Sequence, residues 1–179
     1  GEGRNVLIEF VSANPTGPLH IGHGRGAVVD DVLANILRAT KHRVVKEYYV
    51  NDAGKQIRTL GESTYARWCE LKGQEIEFEK HYYQGDYVRD LAREIEESDL
   101  SVPEDREEAI EMMARYASGR IMEGMVRDLG DFGVIFDNYF RESLLYEQNA
   151  VEDTISDLRE RGHVYEKDGA IWFSTSSFE

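Results

Sequence analysis

Apolar positions change period several times along this chain, and each change marks an element. Asn5-Val6-Leu7-Ile8-Glu9-Phe10-Val11 is a short β-branched and aromatic run that reads as a buried strand. Ile21, Val28, Val32, Leu33, Ile36 and Leu37 then recur at helical spacing, so a helix is expected from about 20 to 40. Lys41, His42 and Arg43 follow as suitable cations for its C-terminus. Residues 44–50 read as a second strand, which gives a βαβ unit with parallel strands and a right-handed crossover. Asn51-Asp52 stands at the carboxyl end of that strand. Asp52 is placed to cap a helix starting near Ala53, or also to face a crevice beyond the strand ends.

Helical periodicity dominates the middle. Residues 53–71 carry a stripe of Ile57, Leu60, Tyr65, Trp68 and Leu71, and Gly73 marks the stop. A second helix is expected from Gly85 to about Glu97, with Val88, Leu91, Ala92 and Ile95 inward. Residues 98–103 form a linker. Pro103, Glu104 and Asp105 then start a long helix to about Asp128. Its inward face includes Ala109, Ile110, Met113, Tyr116, Ala117, Ile121 and Met125, and its methionines read as core rather than as a partner groove. From Gly133 the pattern turns to strand, through Val134-Ile135-Phe136 and on through residues 137–143. A helix over about 145–161, a stop at Gly162 and a hairpin turning at Asp168-Gly169 complete the reading.

Between the first strand and its helix lies Ser12-Ala13-Asn14-Pro15-Thr16-Gly17-Pro18-Leu19. Pro15 and Pro18 push the residues before them toward extended geometry, so this turn is not helical. A strand, a glycine-bearing turn and a helix N-terminus make a natural anion site. The first-turn N–H groups lack intrahelical acceptors, and the dipole favours negative charge. His20 and His23 are three residues apart and share a face, aimed at one spot above the strand's carboxyl end. Gly22 between them would let a flat ring or a phosphate approach the backbone. Imidazole N–H donors aimed at phosphoryl oxygens stabilise the charge of nucleotidyl transfer. Taken alone, a His-x-Gly-His string reads more readily as two surface histidines beginning an ordinary helix.

The context of that string alters its meaning. Asn14-Pro15-Thr16-Gly17-Pro18-Leu19-His20-Ile21-Gly22-His23-Gly24-Arg25-Gly26 directly follows the expected strand and resembles the HIGH signature of class I aminoacyl-tRNA synthetases. The longer string from Glu9 to His20, and a second block from Glu47 through Asn51-Asp52-Ala53-Gly54-Lys55-Gln56 to Ile57, resemble bacterial-type arginyl-tRNA synthetase in particular. The resemblance runs at varying strength over essentially the whole chain. It implies an α/β fold, the first half of a Rossmann-like (HIGH-type nucleotidyltransferase) parallel sheet with an acidic, mainly helical insertion. Residues 1–72 would be the first βαβ part, 73–130 a connective-peptide-like insertion, and 131–179 a strand-helix-hairpin segment returning toward the catalytic domain.

The resemblance also implies site residues. Pro18, His20, Gly22 and His23 would hold ATP, with His20 and His23 catalytic and His23 foremost at the phosphates. Glu9, Ser12, Asn14, His20 and Glu142 would hold the amino acid. Glu142 would face the guanidinium, which a carboxylate can take through two parallel N–H···O bonds. Without the resemblance Glu142 is an ordinary glutamate near a helix start. Asn51 and Asp52 are further crevice candidates. Glu9 interrupts an apolar strand, a costly place for a carboxylate unless it is paired or faces a polar crevice, and a cationic substrate amine would satisfy it.

Composition adds limits. With 179 residues, 41% of them apolar, the chain is one domain or one and a part. A single cysteine, Cys69, excludes an intramolecular disulfide and leaves no Cys/His cluster with zinc-ligand spacing. The expectation is a reduced, cytoplasmic protein with no structural metal. No apolar run approaches membrane-spanning length, and Gly1-Glu2-Gly3-Arg4 is no signal peptide. A net charge of −14 argues, by itself, against a nucleic-acid footprint. The charge is uneven, with eight Lys/Arg against six Asp/Glu in residues 1–60 and thirteen against twenty-nine in 61–179. The acidic part is most simply a solvated helical surface, so contacts with tRNA would come mostly from elsewhere.

The implied activity is ATP-dependent attachment of arginine to tRNA(Arg) through an arginyl-adenylate, with Mg²⁺ accompanying ATP and with ATP, L-arginine and tRNA(Arg) as partners. Positioning and charge stabilisation would be the protein's share. No general base for the second step is evident. No Lys-Met-Ser-Lys-Ser-like loop is found either, so the chain is expected to be a truncated catalytic fragment, inert or nearly so alone. Rival readings are another class I synthetase (cysteinyl, for example), a related nucleotidyltransferase, or a non-catalytic binding paralogue. The lack of zinc-ligand cysteines and the Asn14–Leu19 block count against the cysteinyl reading, and intact His20, His23, Asn14 and Glu142 against decay.

Overall fold

The computed structural model describes residues 3–178; Gly1, Glu2 and Glu179, which bound the stretches read above, lie outside the described residues. The chain divides into two units, one through Phe140 and one from Arg141.

In the first unit, β1 (Asn5–Glu9) and β2 (Arg43–Val50) pair in parallel, Asn5 opposite Arg43 and Glu9 opposite Glu47. Parallel neighbours need a crossover, and α1 (Ile21–Ala39) supplies it. The third strand, β3 (Asn138–Arg141), lies beside β2. Its side chains climb in step with those of β2. Asn138 Nδ2 donates to Glu47 at 2.5 Å, the Tyr139 ring sits 5.6 Å from that of Tyr48, and the Phe140 ring 5.8 Å from that of Tyr49. All three strands therefore run the same way, as the sequence leads one to expect.

Three helices follow β2: α2 (Lys55–Leu71), α3 (Asp86–Glu97) and α4 (Arg106–Asp131). The core joins one sheet face, through Phe10, Tyr48 and Val50, to the C-terminal half of α4, through Met122, Met125 and Leu129. Of the α4 methionines, Met113, Met122 and Met125 are thus core, while Met112 is half-buried outside it. Gly61 lets α2 meet α4 closely, since a Cβ there would lie 2.5 Å from the Ile110 carbonyl oxygen. Asp105 caps α4 by accepting from the Glu107 and Glu108 N–H groups, both at 3.0 Å. Gly73 and Gly133, at φ 72° and 84°, end α2 and α4 with the paired back-bonds of a Schellman motif.

Several expectations are corrected. The first strand ends at Glu9 rather than Val11, because Val11 and Ser12 turn to φ 63° and 41°. It is not buried: Leu7 is 59% exposed. Nor is the aliphatic stripe of α1 core, since Ile21, Val28, Val32, Leu33 and Ile36 are exposed and the helix lies on the sheet by its small residues Ala27 and Ala34. Parallel sheets are usually covered on both faces, yet among the described residues the face bearing Leu7 and Val45 is open to solvent. Asp52 does not cap α2. That helix starts at Lys55 behind Gly54, whose φ of 81° only glycine takes readily. Its buried stripe runs through Ile57, Leu60, Gly61, Thr64 and Cys69, leaving Leu71 exposed, because α3 and α4 clamp it from two sides. Val134-Ile135-Phe136 is not a strand; Val134 and Phe136 are buried in the core, and the strand starts only at Asn138.

The second unit holds α5 (Ser143–Glu147), α6 (Ala150–Glu160) and an antiparallel hairpin, β4 (Val164–Lys167) and β5 (Ala170–Phe173). The single helix expected here is broken at Asn149, whose left-handed φ of 54° stops one helix and starts the next. Gly162 ends α6 at φ 71°, and Asp168-Gly169 turn the hairpin at φ 54° and 75°, as expected of an Asp-Gly type I′ turn. Among the described residues no helix is long and apolar enough to cross a membrane.

Candidate functional site

The site is built on the turn leaving β1. Left-handed backbone at Val11, a β-branched residue, is uncommon and costs on the order of 1–3 kcal/mol, so surrounding bonds must hold it. They come from distant elements. The Ser12 hydroxyl accepts the Tyr49 N–H at 3.0 Å and donates to the Glu9 carboxylate. The Tyr48 hydroxyl donates to the Ala13 carbonyl at 2.8 Å, and that of Tyr87 to the Thr16 carbonyl at 2.7 Å. Burial pushes both phenols up to about 12, so both remain donors across the neutral range. Asn14 Nδ2 donates to Gln56 Oε1 at 2.6 Å. Pro15 is buried beneath.

At the other end of the turn the two histidines do more than share a face. His20 is the N-cap of α1, not its first turn, and its Nδ1 accepts the Gly22 N–H at 3.1 Å. His23 Nδ1 accepts the His20 N–H at 3.2 Å, which closes a reciprocal capping box. The rings stack with centroids 3.7 Å apart and planes 18° off parallel. Because both Nδ1 atoms accept, each neutral ring carries its proton on Nε2, directed away from the backbone. Burial and, second, the neighbouring His20 lower the pKa of His23, which favours the neutral ring at pH 7. The sequence reading had an anion meeting bare first-turn N–H groups. Here the Gly22 N–H is taken by imidazole and those of His23 and Gly24 by the His20 carbonyl, so the outward donors are the Nε2 groups instead.

Turn and histidines meet in a cleft of about 330 Å³. Ala13, Asn14, Thr16, Gly17 and Pro18 form one wall, with His23 beside them. Gln56, Tyr83, Tyr87 and Met125 form the other. Of the residues expected at a site, Asn14, Pro18 and His23 line this cleft. His20 adjoins through its stack on His23 and Gly22 through its bond to His20, while Ser12 and Glu9 are engaged with each other and do not line the cleft. Glu9 is exposed, so the desolvation argument for a substrate amine there does not hold; its partner is Ser12. Asn51 and Asp52 are half-buried after β2, the Asp52 N–H bonded to the Val50 carbonyl at 3.0 Å. Glu142 belongs to the second unit, at the N-cap of α5, where its carboxylate accepts from the Tyr146 hydroxyl at 3.4 Å. Among the described residues no cluster of three or more His, Cys, Asp or Glu could hold a metal ion.

Gln56, Tyr83 and Tyr87 were missed in the sequence. Gln56 lies within the second signature-like block but has no intrinsic mark, and the tyrosines read as one polar-aromatic stretch and one helix start.

Residues 1–178 match the family described as tRNA synthetases class I (R), catalytic domain. The chain is 52% identical over 180 residues to an arginine–tRNA ligase of Desulfosudis oleivorans, and 53% over 182 residues to one of Syntrophotalea carbinolica. Each alignment covers 99% of this chain and 32% of the relative, so the chain spans about a third of the length of the curated relatives it matches. The solved structure of a Campylobacter jejuni protein, provisionally described as an arginyl tRNA synthetase, superposes with a TM-score of 0.82 at 37% identity, over 97% of this chain and 38% of that one.

Proposed function

Since the chain belongs to the family of class I (R) tRNA synthetase catalytic domains, we propose that the protein it comes from attaches arginine to tRNA(Arg) at the expense of ATP. The observation that carries this reading is that the Asn14 turn and His23, which stacks on His20, line one cleft. In the first step the arginine carboxylate attacks the α-phosphate of ATP in line; the new C–O–P bond replaces the bond to pyrophosphate, which departs with its Mg²⁺. The outward Nε2 donors of His20 and His23 meet the phosphates as charge builds on them, and cost no reorganisation because the capping box already fixes both rings. Pro18 and Gly22 leave room for the nucleotide. Asn14, with Ser12 and Glu9 behind it, meets the α-amino end of the substrate, and Glu142 its guanidinium. Asn51 and Asp52 border the crevice at the end of β2.

In the second step a terminal ribose hydroxyl of the tRNA attacks the arginyl carbonyl, and AMP leaves. Residues 73–130 act as a connective-peptide-like insertion between 1–72 and 131–179. The enzyme works in the cytoplasm, and most tRNA contacts lie in sequence beyond this chain, whose 61–179 portion is strongly acidic. The 179-residue piece alone is inert.

The test is charging by the full-length protein with ATP, Mg²⁺ and total tRNA, each amino acid offered separately, with His23→Ala in parallel. Arginine-only charging, lost in the variant, is the expected result. Charging of another amino acid overturns the arginine assignment, and no charging by a folded full-length protein overturns the enzyme reading in favour of a binding paralogue. Arginine-dependent ATP–pyrophosphate exchange by the isolated 179-residue chain would overturn its inertness.

A further inference from the structure

Resting on that functional reading, we propose that Gln56 is a positioning residue for the amino-acid substrate, acting through the orientation of the Asn14 amide. An amide side chain offers an acceptor at one end and two donors at the other, and the two ends have the same shape. Which end faces a ligand is therefore decided by a neighbour. Here Gln56 Oε1 takes the Asn14 NH₂ group at 2.6 Å, which turns Asn14 Oδ1 away from Gln56. Both residues line the 330 Å³ cleft that also holds His23. The pair thus presents Asn14 Oδ1 as an acceptor. The ammonium of a zwitterionic α-amino acid is complementary to that acceptor. Reversing the Asn14 amide would set its oxygen against Gln56 Oε1 and its NH₂ group against the substrate ammonium.

Gln56 reaches Asn14 from a backbone position that the helix sets. It is the second residue of α2, between the Gly54 turn at φ 81° and Ile57, which is buried. Its side chain is exposed and also lines a second hollow of about 440 Å³ with Lys55, Thr59, His81 and Tyr83. Asn14 stands on the strained turn after β1, 42 residues earlier, and its own backbone conformation does not select an amide orientation.

The experiment is arginine-dependent ATP–pyrophosphate exchange by the full-length protein carrying Gln56→Leu, Gln56→Glu, Asn14→Ala and the Asn14→Ala/Gln56→Leu pair. Gln56→Leu removes the acceptor that orients Asn14, and is expected to raise KM for arginine about tenfold with KM for ATP unchanged. Gln56→Glu keeps an acceptor for the Asn14 NH₂ group and is expected to restore KM for arginine to within about threefold of the parent. Because Gln56 acts through Asn14, the double variant should be no worse than Asn14→Ala. The proposal is overturned if Gln56→Leu leaves KM for arginine unchanged, if Gln56→Glu behaves like Gln56→Leu, or if the double variant shows the product of the two single losses. Exchange by the parent dependent on a different amino acid, or none at all, overturns the functional reading itself and with it this role for Gln56.

Discussion

Tyr87, in the first turn of α3, donates its hydroxyl to the carbonyl of Thr16 at 2.7 Å, a bond that spans 71 residues of sequence. The same ring packs on two glycines, since a Cβ at Gly17 would meet its hydroxyl at 3.2 Å and one at Gly85 would run into its ring edge. The helical layer is thus pinned to the turn that carries Asn14. Tyr87→Phe removes the hydroxyl and keeps the packing. It should cost about 1 kcal/mol of unfolding free energy, read by urea denaturation of the full-length protein. An unchanged midpoint would mean that the Thr16 carbonyl finds another donor.

Helix α2 meets α4 at Gly61, where an added methyl would lie 2.5 Å from the Ile110 carbonyl oxygen and 2.7 Å from Ala114 Cβ. Backbone cannot give way as a side chain would. Gly61→Ala gains about 1 kcal/mol of helix propensity and loses about 1–3 kcal/mol to overpacking, a net destabilisation. Gly119→Ala in α4 meets nothing within 4 Å and should stabilise by up to about 1 kcal/mol. Thermal unfolding of the two variants should move in opposite directions.

Lys46 of β2 is 6% exposed, and its Nζ bonds the Asp31 carboxylate of α1 at 2.8 Å. Lys46→Met leaves the Asp31 carboxylate with the Asn35 amide but no counter-charge, and should cost about 3 kcal/mol. Adding Asp31→Leu should return most of that loss, because two apolar groups need no counter-charge. Denaturant midpoints of the single and double variants decide it.

His23 titrates below 6.5, first because it is partly buried and second because His20 is beside it. The folded state takes up this proton later than the unfolded chain does. Stability contributed by neutral His23 is complete above pH 6.5 and is lost as pH falls through the lowered folded value. A ¹³C-histidine titration of the full-length protein should place the His23 midpoint below 6.5. His20→Asn should raise that midpoint only part of the way, since burial is the larger cause.

What the sequence made legible was mostly local. Gly73, Gly162 and the Asp168-Gly169 turn are each decided by a few adjacent residues, and each is found where those residues put it. Asp52 and Asn149 show the limit of that logic. Either residue can cap, turn or continue a helix, and the choice fell to Gly54 in one case and to a left-handed Asn149 in the other. Burial was harder still. The stripe from Val28 to Ile36 has ideal spacing for a core face, yet periodicity says only that residues share a face and not that anything covers it. At the site, Asn14 and His23 could be read because they stand in one unbroken string. Gln56 and Tyr87 reach the same cleft from 42 and 71 residues away, and no local pattern records that.

The reciprocal cap between His20 and His23 bears on how inherited variation here should be interpreted. A missense allele at either histidine removes a helix cap and an imidazole donor together, so a growth defect alone would not say which loss was selected against. Asparagine at position 20 separates them, because it can still accept the Gly22 N–H but brings no ring to stack on His23. A strain that keeps normal protein abundance with that allele and still fails to grow would trace the defect to chemistry. Reduced abundance would trace it to folding.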